Sequence, residues 1–291
     1  MLTFAKIIKP DTMKRISIYL MMLLLCAASC NKDNANGAAE GTNSGTVDPQ
    51  PEPQPEDGEP AEIDFNNIDP NDPYYKNNRG SSKGISGNQV NSITETPWKY
   101  EQWLEAGNGT MTVYDNGNFK ATWSNCGDYL ARVGFKYGTY IDRATKNYIA
   151  DYQFTKTGSA GYGYIGAYGW TYEPIVEYYI VDDWYGNMPP YDSHPKGQFT
   201  VDGATYTVYT VQRINSPSYF GENKTFTSVF SVRESRRQQG RIHISTHFDE
   251  WNKKGITLGK IAELTMLAEA GGNATGSVEF TYLNLMDLPV E

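Results

Sequence analysis

The chain has little of what metal and disulfide chemistry needs: three His (His194, His243, His247) and three Cys in 291 residues. That leaves little for a transition-metal site, and a zinc protein is not expected. Cations are also scarce, with 25 Lys and Arg against 34 Asp and Glu. Beyond the short run Arg233, Arg236, Arg237, Arg241 they form no cluster, so a nucleic-acid partner is not expected. No segment resembles a calcium loop. The net charge of -9 is uneven: residues 1–30 carry +3, residues 31–73 carry -10 and the rest -2. The acidity thus belongs to one segment.

Long apolar runs are missing too. The stretch Ile16 to Ala28, preceded by Lys14 and Arg15, is too short to span a bilayer comfortably and sits where a signal-peptide core would. Its end, Ala27-Ala28-Ser29-Cys30, resembles the lipobox of bacterial lipoproteins, with Cys30 as the lipidated residue. An ordinary cleavage site that ends in Cys is the alternative, and Met13 is an alternative start. Residues 1–30 are therefore expected to be a lipoprotein signal, and the exported chain to be held at the bacterial outer membrane through that lipid anchor alone. An acidic stretch after a lipidated Cys also resembles surface-export signals of some Gram-negative lipoproteins, which adds the cell surface as an expected location. With Cys26 in the signal and Cys30 lipidated, Cys126 is the one thiol left, so no intrachain disulfide is expected. Residues 31–92 are expected to be an acidic Pro/Asn/Gly-rich linker; up to Pro73 almost nothing apolar repays ordering, and prolines and like charges keep such a tether extended.

Residues 93–291 form the expected folded part. Alternating aromatic and small residues with frequent turn signals predict an all-β fold. Asn116-Gly117 suits a tight hairpin turn. Strand-like runs follow at 118–124, 128–135, 147–154, 162–171, 175–184, 205–213, 225–233 and 274–285. Thr246 with Asp249 predicts a capping box for a single short helix that Gly255 stops. This length and strand number point to a two-sheet antiparallel β-jelly roll. The wealth of Tyr and Trp, 22 and 6, suggests a carbohydrate-binding surface, since sugar rings stack on aromatic faces.

Two carboxylates stand out. In Pro174-Ile-Val-Glu-Tyr-Tyr-Ile-Val181, alternation places Glu177 and Tyr179 on the face opposite Val176 and Tyr178. Glu269 ends the apolar run Leu264-Thr-Met-Leu-Ala-Glu269. Alone, Glu177 reads better as a solvent-facing Glu on an amphipathic strand, and Glu269 alone is an equally weak signal. Facing one cleft, a pair of carboxyls is what glycoside hydrolysis requires.

Tyr168-Gly-Trp-Thr-Tyr-Glu-Pro-Ile-Val-Glu-Tyr-Tyr-Ile-Val181 closely resembles the nucleophile strand of the glycoside hydrolase family 11 endo-β-1,4-xylanases. Further matches follow in the family's order: Trp123-Ser-Asn125, Asp202-Gly203 with Tyr206-Thr-Val-Tyr-Thr210, Arg213-Ile-Asn-Ser-Pro-Ser218, Ser231-Val-Arg233, His247-Phe-Asp-Glu-Trp251 and Leu258-Gly259. The resemblance spans roughly residues 97–287. It implies a jelly roll shaped like a partly closed hand, with a thumb loop over a cleft, and endo-hydrolysis of xylan by a monomer without cofactor or metal. It further implies Glu177 as nucleophile and Glu269 as general acid/base of a retaining mechanism, with carboxyls about 5 to 5.5 Å apart. Trp103, Tyr164, Tyr168, Trp170, Tyr179, Arg213, Pro217 and Ser218 are the implied substrate-binding residues. Asp128 occupies the position where the family has Asn or Asp beside the acid/base, and an Asp there implies an acidic pH optimum.

Three positions depart from the family pattern. Ser228 replaces a glutamine that reaches toward the nucleophile, Gly271 removes an aromatic from the leaving-group side, and Asn187 stands where a cleft tyrosine is common. Two alternatives remain open at this point: a non-catalytic xylan-binding lipoprotein, and a β-1,4-glucan hydrolase of the same architecture, which a narrow thumb-covered cleft disfavours.

Overall fold

A computed structural model describes residues 59–186 and 195–290. The expected signal, Cys30, the first part of the expected linker, Asn187 and His194 lie outside the described residues.

Thirteen strands, one α-helix and two three-residue 3-10 turns, Lys76–Asn78 and Arg143–Thr145, are described. The strands and the helix are β1 (Ser82–Ser86), β2 (Gln89–Ser92), β3 (Lys99–Glu105), β4 (Asn108–Tyr114), β5 (Phe119–Ile141), β6 (Lys146–Ser159), β7 (Tyr162–Tyr172), β8 (Val176–Gly186), β9 (Gly197–Val201), β10 (Ala204–Ser218), β11 (Gly221–Arg233), β12 (Gln239–His243), α1 (Ile244–Lys253) and β13 (Lys260–Pro289). The expected all-β fold with one short helix is the fold found. One layer runs β1-β4-β5-β13-β6-β12; the other runs β2-β3-β5-β13-β7-β8-β11-β10-β9. Neighbours are antiparallel except β8 and β11, which pair in parallel.

β5 and β13 belong to both layers, and the sequence hid this. Runs 118–124 and 128–135 were expected as separate strands, but they are one strand with a left-handed residue, Asn125, at the joint (φ 53°). β13 begins at Lys260 rather than Ala274, and register shifts on either side of Ala274 mark where it changes layers. Its first half pairs with β7 and its second half with β6. Such irregularities let a single strand turn the corner of a sandwich without losing its ladder.

Alternation then distributes the side chains. On β8, Val176, Tyr178 and Ile180 enter the core between the layers, with Tyr100, Tyr129, Val133, Leu264 and Met266. Tyr179 and Val181 point the other way, into a second cluster with Tyr168, Trp170, Phe226 and Phe230 on the open face. Helix α1 seals the core behind β8, with Phe248 and Trp251 against Tyr178 at ring-centroid distances of 5.1 and 6.1 Å.

Two expectations need correcting. The helix starts at Ile244, and its N-cap residue His243 makes no side-chain capping bond, so the expected Thr246–Asp249 capping box does not form. β12 runs directly into the helix, and Asp249 instead pairs with Arg143 at 2.7 Å. The expected linker also ends before residue 92. β1 pairs with β4 and β2 with β3, Arg241 donates to the carbonyls of Pro60 and Ala61, and Tyr74 stacks on Trp98. A few aromatics suffice here because they dock on a surface that the rest of the chain has already built. At the predicted hairpin, Gly117 (φ 88°) closes the turn between β4 and β5, and a Cβ there would lie 2.2 Å from the Trp98 ring.

Candidate active site

Glu177 stands on the open face of β8 because its strand parity opposes that of Tyr178. Three hydroxyls donate to it: Tyr168 and Tyr179 to Oε1, both at 3.0 Å, and Ser228 to Oε2 at 2.6 Å. Ser228 comes from β11, directly across the parallel pair from Glu177. It in turn accepts from Arg213 Nε at 3.2 Å. The substitution that seemed to withdraw a donor from Glu177 therefore supplies another. The signal for it was the register of β8 with β11, which sequence alone does not give.

Glu269 lies on β13 opposite Tyr164 of β7, and Tyr164 packs its ring against Tyr179 and Phe230. It is 9% exposed. Its Oε2 is buried with no hydrogen-bond partner among the described residues. Burial pushes its carboxyl well above the usual range, and the neighbouring charges of Asp128 and Glu177 push the same way, against weaker pulls from Arg213 and Arg132. Asp128 of β5 is pushed up to about 7, chiefly by burial. Burial and like charge thus bias Glu269 toward its protonated form.

The remaining expected residues divide by environment. Trp103 on β3 is 37% exposed and, with Pro217, Ser218 and Tyr219 of the β10–β11 hairpin, lines a cavity of about 540 Å³ beside Tyr168. Trp170 touches this cavity but is only 4% exposed, and its indole N–H donates to Tyr168 Oη at 2.7 Å. That bond holds the Tyr168 hydroxyl beside Glu177. Ser218 spends its hydroxyl on the hairpin turn, donating to Gly221 O and accepting from Phe220 N. At the hairpin tip, Phe220 meets Tyr172, Tyr140 and Trp170 at centroid distances of 5.1, 5.8 and 6.3 Å, so the hairpin bridges the cleft.

The family model for glycosyl hydrolases family 11 matches residues 95–281. The chain belongs to that family. It is 45% identical over 213 residues to endo-1,4-beta-xylanase C of Fibrobacter succinogenes, covering 71% of this chain and 34% of that protein. It is 42% identical over 212 residues to endo-1,4-beta-xylanase C of Neocallimastix patriciarum, covering 70% of this chain and 43% of that protein. The chain thus spans less than half the length of these two relatives. Among solved structures, wild-type ENZbleach xylanase superposes with a TM-score of 0.65 at 32% identity, over 76% of this chain and 93% of that one.

Motif reading missed an ionic cluster on the same face of this family 11 domain. Arg132 pairs with Glu101 at 2.6 Å and Glu263 at 3.2 Å, and Lys136 reaches the same two carboxylates at 2.5 and 2.7 Å. The Arg132 guanidinium also lies 4.8 Å from the Tyr168 ring centroid. The available signal was parity: Glu263 and Glu269 share a face of β13, and Asp128 and Arg132 share a face of β5.

Proposed function

We propose that this chain hydrolyses β-1,4-xylosidic bonds inside xylan by a retaining double displacement, with Glu177 as nucleophile and Glu269 as general acid/base. The observation that carries this reading is the contrast between two carboxyls on one cleft face. Glu177 accepts three hydroxyl donors, whereas Glu269 is buried, lacks a donor on Oε2 and is biased toward its protonated form. In the first step the Glu177 carboxylate forms a bond to the anomeric carbon, the bond from that carbon to the leaving oxygen breaks, and the Glu269 proton passes to that oxygen. In the second, Glu269, now ionised, takes a proton from water, the water oxygen bonds the anomeric carbon, and Glu177 is released. Xylan as substrate is supported by the names of the relatives, and by a cleft bridged by the hairpin tip and floored by Trp103.

Asp128 sits against this pair, and two close carboxyls that share one proton favour activity on the acidic side. The sequence order of charged, apolar and small residues before Cys30 supports export and a lipid anchor, which Cys30→Ala would release from the membrane.

The test is reducing-end release from linear xylan and from mixed-linkage glucan, with Glu177→Gln as control. Xylan cleavage that the substitution abolishes is the expected result. Xylan binding without turnover from pH 4 to 8 would make this a binding protein, and preferential glucan cleavage would overturn the substrate.

A further inference from the structure

Alternation along β3 lays Lys99, Glu101 and Trp103 on the open face, and all three line the cavity of about 540 Å³ that the β10–β11 hairpin shares. The charged residues lining that cavity are Lys99, Glu101, Arg132 and Lys136. All but Lys99 are committed to one another. Glu101 Oε2 accepts from Arg132 Nη2 at 2.6 Å and from Lys136 Nζ at 2.5 Å, and the buried Glu263 pairs with the same two cations. Arg132 also lies 4.8 Å from the Tyr168 ring centroid, and Lys136 5.3 Å from that of Tyr219. Burial pushes the Glu101 carboxyl up, but the two cations outweigh it and the group ends below its usual value. The Lys99 ammonium, by contrast, has neither an ion pair nor a hydrogen bond among the described residues. Lys99, Arg132 and Lys136 against Glu101 and Glu263 leave a positive excess here, in a chain whose net charge is -9.

We propose that Lys99 is a specificity-determining residue that binds the carboxylate of a uronic acid branch on the xylan chain. This rests on the reading of the cleft as a xylan site. An unbranched xylan backbone is uncharged and gives a free ammonium nothing to pair with, whereas a hexuronic acid is the sugar that brings a carboxylate. Arg132 and Lys136 cannot answer such a group without giving up Glu101 or Glu263, and a buried carboxylate left unpaired is costly. Lys99 gives up only water. It stands four residues from Trp103 along β3, about 13 Å by strand rise, so a ring stacked on Trp103 leaves Lys99 to a neighbouring sugar's branch. Val90, opposite Glu101 on β2 and 51% exposed, adds an apolar surface on which the branch ring can lie. A cavity opposite in sign to the whole chain also draws in an anionic polymer that the net charge would repel.

The experiment compares two ligands that differ in one group: a xylo-oligosaccharide bearing a single glucuronic acid branch, and the same compound with the branch carboxyl reduced to the alcohol. Binding to the full chain is read by calorimetry and cleavage by kcat/KM. The wild type is expected to favour the acid about fivefold in both, the worth of one partly exposed ion pair, and the preference should fall as salt rises from about 20 to about 500 mM. Lys99→Met keeps the stem, removes the charge and is expected to abolish the preference, while Lys99→Arg restores it. Because each protein is judged by its own ratio of acid to alcohol, a general loss of stability does not imitate the result. Equal affinity of the wild type for the two ligands, no binding of the acid at all, or a preference that survives in Lys99→Met would overturn the proposal. Calorimetry needs no turnover, so a chain that binds but never cleaves would defeat the hydrolase reading while the ratio of Kd values still judges Lys99.

Discussion

Ser228 Oγ donates to Glu177 Oε2 at 2.6 Å while accepting from Arg213 Nε at 3.2 Å. The hydroxyl links a cation on β10 to the candidate nucleophile on β8, and both oxygens of Glu177 are thereby fixed. Ser228→Ala is expected to lower kcat on xylan about ten- to a hundredfold, the worth of one hydrogen bond to a charged group. Steady-state kinetics check this, and KM should move little.

Asp128 carries a stability cost that depends on pH. Its carboxyl is raised from 3.8 to about 7. A raised carboxyl favours the fold below the unfolded value, and this contribution is lost as pH rises through the folded value. Asp128→Asn should therefore leave Tm nearly unchanged near pH 4 and raise it progressively toward pH 8. Calorimetry across that range tests the sign, and the activity optimum of the same variant should move toward neutral.

His247 works in the opposite direction. It is fully buried between Tyr206, Phe199 and Trp251, and burial lowers its imidazole from 6.5 to about 4. Its contribution is present above pH 6.5 and is lost as pH falls toward 4, because the unfolded chain takes up the proton first. His247→Phe, which keeps an aromatic ring there, should gain stability relative to wild type as pH drops from 7 to 4, read from urea midpoints at each pH.

Glu263 is completely buried and answers two cations, Arg132 and Lys136. Glu263→Gln leaves them to share Glu101, and breaking a buried ionic contact of this kind costs about 3 kcal/mol. Urea denaturation should show the loss. Activity should fall as well, since Arg132 lies against the Tyr168 ring and Tyr168 donates to Glu177.

Several elements were legible in the sequence because they depend on neighbours along the chain. Side chains on a strand alternate, so Glu177 and Tyr179 had to oppose Tyr178, and they do. Asn116-Gly117 marked its hairpin for an equally local reason. The helix start failed because the chain enters it from β12, and the early strands failed because residues 82–92 pair with partners later in the chain. β5 read as two pieces, and only the second half of β13 read as a strand, because a bend that carries one strand between layers breaks the local pattern in the same way as a turn.

The order of residues thus settled the fold class, singled out the two carboxylates and assigned the face of Glu177, since a period of two and a set of spaced motifs are properties of the chain alone. The raised carboxyl of Glu269, the Ser228 donor and the Arg132–Glu263 cluster arose only on folding. Each depends on burial or on which strands lie side by side. Those are long-range relationships: Asp128 and Gly271 share a rung although 143 positions separate them in the chain.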